Sequence, residues 1–325
     1  MEKIPQFQKV IRVGVCGTGP FSFYGSFNTV INNTFREYNN LNMRVTHIWG
    51  DDYRKNYRGS PEYVKKMLDF WNSDRYSPQG LARLCGIPHV CKDFHEMVDE
   101  VDAAMIMDFD RAYELAEPFL KRGLPIFICS PVAVSVPECE KILDLAEKNG
   151  AAVHTGAYSQ SLYENRLRCD FVKRDNIAAF FARTSFAFYT SYAPDGLDPL
   201  YWLIGPGARK VALHGWNGSK GYDPTGIPVS RIHIEYEPRK DMPPIQGVLT
   251  LGGYQKETEW YRIYYHDHTI MEGITQTNWG KCELTCRDFL MDIQQVFVTN
   301  KPIETRTDIL NKLRVLIAAY KSANE

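Results

Sequence analysis

The sequence predicts an α/β protein of two domains, the first on a parallel sheet covered on both faces, the second an α/β domain with a large, mostly antiparallel sheet. Three observations carry this. Up to about residue 152, short apolar runs alternate with helical segments of roughly 10 to 15 residues, the pattern of strand–helix–strand units. Beyond Gly156, strand candidates follow one another with few helices between them, joined by turns rich in Gly, Pro and Asp. The 325 residues suffice for two cores at about 100–200 residues each. The boundary is set near residue 152, giving domains 1–152 and 153–325.

The elements follow in order. Residues 10–16 are an apolar strand running into Gly17-Thr18-Gly19-Pro20; helical spacing comes next, and 43–49 (MRVTHIW) is a second strand closing on Gly50-Asp51-Asp52. Helices are expected over 62–71 and 78–85, then a short strand at 89–91 and a small helix at 93–98. Strands at 103–107 and 125–129 flank a helix at 112–121. A helix over 136–149 is stopped by Gly150 before a strand at 151–154. In the second half the strands are 176–189, 210–215, 229–235, 247–252 and 260–266. Helices are expected at 197–204 and 307–323, the latter with Ile309, Leu313, Leu316, Ile317 and Tyr320 on one face.

Composition narrows the function classes. Lys and Arg number 38 against 39 Asp and Glu, so the chain offers no basic footprint for a phosphate backbone. No run approaches the roughly 18 apolar residues of a membrane span, and residues 1–9 lack the pattern of a secretory leader, so a cytoplasmic location is the default. Eight cysteines are too dilute for a disulfide scaffold and are read as reduced thiols. The 19 Tyr, 17 Phe and 6 Trp point to broad pockets or interfaces.

Gly17 and Gly19 fall where a strand turns into a helix. Absent side chains there let a backbone approach a pyrophosphate, so Gly17, Thr18, Gly19 and Pro20 are candidate nucleotide-binding residues of a Rossmann domain. A simple tight turn is the competing reading, since Ser22 stands where a third glycine is usual. Asp51 and Asp52 close the second strand, where a carboxylate holds a ribose 2′-OH and repels a 2′-phosphate. NAD is therefore favoured over NADP, although the spacing exceeds the usual roughly 20 residues.

The segments Val101-Asp102-Ala103-Ala104-Met105-Ile106, Glu114-Leu115-Ala116, Gly123-Leu124-Pro125-Ile126-Phe127 and Pro131-Val132-Ala133, with residues 143–150 and the tail Asn300-Lys301-Pro302-Ile303, resemble the Gfo/Idh/MocA (glucose-fructose oxidoreductase and inositol dehydrogenase) family. The resemblance spans nearly the whole chain. It implies an NAD(P)-dependent oxidoreductase of a sugar, polyol or related cyclic hydroxyl compound, forming a homo-oligomer through its second-domain sheet. The family's Glu-Lys-Pro lysine would contribute to the chemistry, but the matching tripeptide here is Cys129-Ser130-Pro131. Its Asp and His, four residues apart, fall on Ser191 and Asp195, with Asp198 matching the aspartate that follows; Phe109-Asp110-Arg111-Ala112 replaces a histidine-bearing loop. Ser130 and Pro131 also take cofactor-binding positions by this match.

Oxidising a carbinol needs a group to accept the hydroxyl proton and another to support oxyanion charge. A neutral serine donates a hydrogen bond but cannot replace an ammonium. The acid/base set is therefore drawn from Tyr158, Asp195, His214 and Ser130, with Arg183 and Asp198 as substrate contacts; packing roles compete at Tyr158, Arg183 and His214. His266-Asp267-His268 would put two imidazoles on one strand face but lacks further ligands, so no metal is expected. Cys282 and Cys286 share a helical face without a basic neighbour to activate either. A catalytically silent nucleotide- or sugar-binding homologue, acting as sensor or partner subunit, is the alternative function.

Overall fold

The computed structural model describes residues 10–17, 41–50, 77–156, 170–184, 189–214, 230–251, 260–274 and 282–322. The chain divides into two compact units. The first takes Met1–Cys129, Glu138–Thr155 and Leu290–Ile303; the second takes Ser130–Pro137, Gly156–Phe289 and Glu304–Glu325. The chain passes between them more than once.

In the first unit, β1 (Ile11–Cys16), β2 (Met43–Trp49), β3 (His89–Val90), β4 (Ala103–Ile106), β5 (Ile126–Cys129) and β6 (Val153–Gly156) form a sheet in the order β3-β2-β1-β4-β5-β6. The ladders β2–β3, β1–β2, β1–β4 and β4–β5 are parallel. Every residue of β4 and β5 is buried, which explains their uninterrupted apolar sequence: both faces are covered. Helices α1 (Pro78–Cys85), α2 (Ala112–Lys121) and α3 (Val136–Asn149) begin and end as their spacing predicts. Ser77 caps α1, its Oγ accepting from the Gly80 N–H at 3.1 Å. The small helix expected at 93–98 is a 3-10 turn, Phe94–Met97, capped by Asp93. Asn300 stitches three segments of this unit. Its side chain donates to the Gly150 and Gly123 carbonyls at 2.9 and 3.4 Å and accepts from the Ala152 N–H at 2.8 Å.

In the second unit, β7 (Ile177–Thr184), β8 (Ala208–His214), β9 (Ser230–Tyr236), β10 (Gln246–Leu251), β11 (Trp260–Tyr265) and β12 (Ile270–Ile274) form a sheet in the order β12-β11-β7-β10-β9-β8. Only β7–β10 among these ladders is parallel. Its inner face is apolar, with Phe180, Ile232, Leu249 and Ile263 fully buried; each such side chain contributes about 1.5–3 kcal/mol. Gly247 leaves the space that the Phe180 ring fills, since a Cβ there would stand 2.0 Å from the ring. Helix α4 (Tyr189–Ile204) packs against β7 and β10, and α6 (Arg306–Ser322) against β8 and α4; α5 (Cys282–Thr299) precedes α6.

Several expectations need correction here. The strand expected at 176–189 stops at Thr184, and the helix expected from 197 begins at Tyr189. Pro194 and Pro199 argue against that helix, but Ala193, Leu197, Leu200 and Ile204 form a buried stripe at helical spacing that outweighs the hydrogen bonds two prolines remove. The strand expected at 260–266 ends at Tyr265, and His266-Asp267-His268 is a turn with His268 at φ 64, so the two imidazoles share no strand face. Tyr320, assigned to the buried face of the last helix, is 43% exposed. The helix expected at 62–71 lies outside the described residues.

Candidate functional site

The first unit's strand order reverses direction between β1 and β4, and in open parallel sheets ligands bind outside the carboxyl ends of the strands at such a point. Gly17 leaves β1 there with φ 97, its N–H donating to the Trp49 carbonyl at 2.7 Å. A Cβ on Gly17 would stand 3.0 Å from the Asp108 Cβ and 3.1 Å from its nitrogen. Beside it, the Arg111 guanidinium lies 5.2 Å from the Trp49 ring centroid and grips Glu114 with two hydrogen bonds, at 2.6 and 3.0 Å. Burial and the neighbouring Asp110 push the Asp108 carboxyl above its ordinary value, partly offset by Arg111 and backbone N–H donors. A carboxyl biased toward its neutral form repels a diphosphate less than a carboxylate would. A Cβ there would crowd the Asp108 backbone, so the close approach of β1 to the segment after β4 requires glycine at this position. Thr18, Gly19, Pro20, Asp51 and Asp52 lie outside the described residues.

The second unit holds a line of buried polar groups. Ser130 directly follows β5 and is half-buried; its hydroxyl donates to Asp198 Oδ2 at 3.4 Å. On α6, Lys312 Nζ lies 3.8 Å from Asp198 Oδ1 and 2.7 Å from Glu304 Oε1. The side chains of Asp198, Glu304 and Lys312 are 4%, 1% and 6% exposed, so these charges have left water and must answer one another. Burial pulls the Lys312 amine down, but Asp198 and Glu304 outweigh it and hold the ammonium above its usual range. Burial pushes the Glu304 carboxyl up, and Lys312 offsets only part of that.

Local structure fixes this line at both helices. Thr305 and Asp308 form a reciprocal cap on α6: the Asp308 N–H donates to Thr305 Oγ1 at 3.2 Å and the Thr305 N–H to Asp308 Oδ2 at 3.1 Å. The Tyr201 hydroxyl, pushed up to about 12 chiefly by burial, donates to Asp308 Oδ1 at 2.8 Å and ties α4 to α6. At the far end of α4, Arg174 and Arg239 donate to the carbonyls of Trp202, Leu203, Ile204 and Pro206, which the helix itself leaves without partners.

Of the residues singled out from sequence, the structure brings Ser130 and Asp198 together. Asp195 lies on α4, its side chain outside the described residues, as is all of Tyr158. Pro131 follows Ser130 through a cis peptide bond. His214 and Arg183 do not join the cluster. Their β8 and β7 positions alternate with buried residues and open on the sheet's outer face, whereas α4 and α6 cover the inner face; His214 packs edge-on against His233. Lys312, Glu304, Trp49 and Asp108 were missed. One signal was present for Lys312: it falls three residues after Ile309 and four before Leu316, within the apolar stripe of its helix. Among the described residues there is no group of three His, Cys, Asp or Glu that could hold a metal, and no helix long and apolar enough to cross a membrane.

Residues 11–157 match Gfo/Idh/MocA, an oxidoreductase family with an NAD-binding Rossmann fold. Similar folds among solved structures include the apo scyllo-inositol dehydrogenase from Lactobacillus casei, 15% identical over 97% of this chain and 96% of that one, with a TM-score of 0.67. Others are the myo-inositol 2-dehydrogenase from Lactobacillus plantarum (12%, 97% and 98%, 0.69) and the biliverdin reductase from Synechocystis sp. PCC 6803 in complex with biliverdin and NADP+ (13%, 97% and 99%, 0.63). At such identities the likeness is one of fold. A search of curated proteins finds no match. The Gfo/Idh/MocA match takes in all six strands of the first sheet and Gly17, and ends before the second sheet begins.

Proposed function

We propose that the protein is an NAD(P)-linked oxidoreductase interconverting a hydroxyl carbon and a carbonyl on a sugar or polyol. The observation that carries this reading is the end of β1, where the strand order reverses and Gly17 turns the chain at a φ of 97. Gly17, Thr18, Gly19 and Pro20 would hold the diphosphate, Asp51 and Asp52 the ribose, with NAD preferred to NADP, and Ser130 and Pro131 would flank the cofactor. When bound, the nicotinamide supplies the hydride chemistry. The chain's own part is to hold a substrate hydroxyl and its proton. Ser130 offers Oγ, Asp198 holds the Ser130 hydrogen at Oδ2, and Asp195 and Tyr158 are the groups on this chain left to move a proton. The solved dehydrogenases of similar fold that are named for inositols support the choice of polyols. A homo-oligomer through the outer face of the second sheet, where Phe181 and Trp260 are exposed, belongs to the same reading; light scattering of a monomeric particle would remove it.

The test is titration of the full chain with NAD and NADP, followed by a panel of hexoses and inositols watched for nicotinamide absorbance. Tight NAD binding with turnover on at least one polyol is the expected result. Failure to bind either dinucleotide would overturn the reading. Binding without turnover would instead favour a silent sensor or partner subunit, a second reading kept because serine stands at the family's lysine position.

A further inference from the structure

At one edge of the first sheet two histidines meet. His47 on β2 and His89 on β3 are partners in the parallel ladder, their rings stacked with centroids 4.6 Å apart and planes 19° from parallel. Together with Pro88 they line two adjoining clefts of about 410 and 420 Å³. Arg12, Thr46 and Glu100 complete the first cleft; Val90, Cys91 and Glu96 complete the second. All of these residues belong to one compact unit.

The strand that carries His89 is weakly held. β3 is two residues long, stands at the end of the strand order, and its ladder to β2 consists of His47↔His89 and Ile48↔Val90. Just beyond it the Cys91 N–H donates to the Ile48 carbonyl at 2.9 Å, and the Trp49 indole N–H donates to the Lys92 carbonyl at 3.3 Å. A segment with so few backbone bonds can open without global unfolding.

Charge decides when it opens. Neutral imidazoles stack without electrostatic cost, whereas two imidazolium rings at this separation repel. Arg12 adds a third cation, offset by Asp102, which accepts from its guanidinium at 3.0 and 3.1 Å. Glu96 and Glu100 favour protonation of the rings. The Cys91 thiol, pushed up by burial and by Glu96, stays neutral. The 3-10 turn also carries His95, but Asp93 engages that ring at 2.7 Å. Helix α1 contacts β2 and β3, yet its Arg83 lines neither cleft. The balance falls against charging: burial first, then His89 and Arg12, hold His47 below its ordinary value of 6.5, with Glu100 opposing. Once β3 leaves, His47 gains water and loses its stacked neighbour, so the open state binds protons more readily than the closed one. Closure is therefore complete above 6.5 and weakens as pH falls below it.

We propose that the His47–His89 stack is a pH-sensitive latch: protonation of the pair releases β3 from β2 and frees the segment that follows it, including the contacts of Trp49. Trp49 closes β2 at the carboxyl end of the strand, the side on which parallel sheets bind ligands. The latch itself does not depend on the oxidoreductase reading, because its readout is the strand.

The experiment is amide hydrogen exchange of the full chain at pH 7.5, 6.5 and 5.5, each rate divided by the intrinsic rate at that pH. The Met107 amide, which donates to the Cys16 carbonyl at 2.8 Å beside β4, is the internal reference. Protection of the Cys91 amide should fall up to roughly tenfold between pH 7.5 and 5.5, as expected for one proton taken up on opening, while that of Met107 holds. His89→Phe keeps a ring at an exposed position without its charge and should reduce the fall; His47→Gln combined with His89→Phe should abolish it. Glu100→Gln removes a carboxylate that favours the His47 proton in the closed state, and should deepen the fall. Wild-type Cys91 protection equal at all three pH values overturns the proposal. So does a natively folded double variant that loses protection as wild type does; if the double variant fails to fold, His89→Phe with the full wild-type loss overturns it instead.

Discussion

Gly17 is the residue on which the cofactor reading turns, and two separate costs attach to changing it. Its φ of 97 is a conformation that L side chains rarely adopt, and a Cβ there would crowd Asp108 at 3.0 Å. Gly17→Ala should therefore cost about 1–3 kcal/mol in backbone strain and contact and weaken NAD binding at least roughly tenfold. Gly86 separates the two effects. It caps α1 at φ 65 with nothing within 4 Å of its would-be Cβ, so Gly86→Ala should show strain alone, with NAD affinity kept. Denaturant unfolding and NAD titration of both variants make the comparison; equal losses of NAD affinity would mean that Gly17 acts only through general stability.

At the scale of elements, legibility followed locality. The helices α1, α2 and α3 and the strand β2 are bounded by signals within their own few residues: Ser77 before Pro78, Gly86 after Cys85, Gly150 after Asn149, and MRVTHIW closing on glycine. The first turns of helix α4 were read as strand because residues 176–189 form one continuous aromatic and apolar run that hides where β7 ends. Strand β12 went unread because the turn that leads into it, His266-Asp267-His268, was taken as the end of the strand before; its pairing with β11 defines it. The site divided along the same line. Gly17 and Ser130 were legible as candidates from a short motif and a family tripeptide. Lys312 was not, because a lysine on an apolar stripe looks like a snorkelling surface residue until Asp198 and Glu304, 114 and 8 positions earlier in the sequence, are seen to enclose it. His214 and Arg183 failed for a related reason: a strand's period gives two faces but does not say which one the helices cover.

The molecule as a whole carries carboxylates of opposite tendency, and their balance predicts its response to acid. Hydrogen bonds and cations hold Asp93, Glu114, Glu117, Asp175, Glu235 and Asp267 below their ordinary values, whereas burial lifts Asp108 and Glu304. The strongest depressions lie in the second unit. Gln246, Arg209 and Lys210 bring Glu235 from 4.5 down to about 2, and Thr269 and Lys173 bring Asp267 from 3.8 down to about 2. A group depressed on folding contributes stability that is complete above its unfolded value and is lost as pH falls toward its folded one. For Glu235 that window runs from 4.5 to about 2. Asp108 and Glu304 act in the opposite sense and at higher pH: they favour the folded state as they become protonated, a gain complete once the pH falls below their ordinary values. The thermal midpoint should accordingly fall as pH drops through this window, and Glu235→Gln, which keeps a side chain able to face Arg209, should flatten the fall. Asp267 is exposed and Glu235 partly so, so raising the salt concentration should flatten the wild-type curve as well. A Glu235→Gln curve parallel to wild type across the window would show that the depressed carboxyl at the β8–β9 edge contributes nothing to acid stability, and would move the explanation to the other depressed carboxylates, Asp267 first.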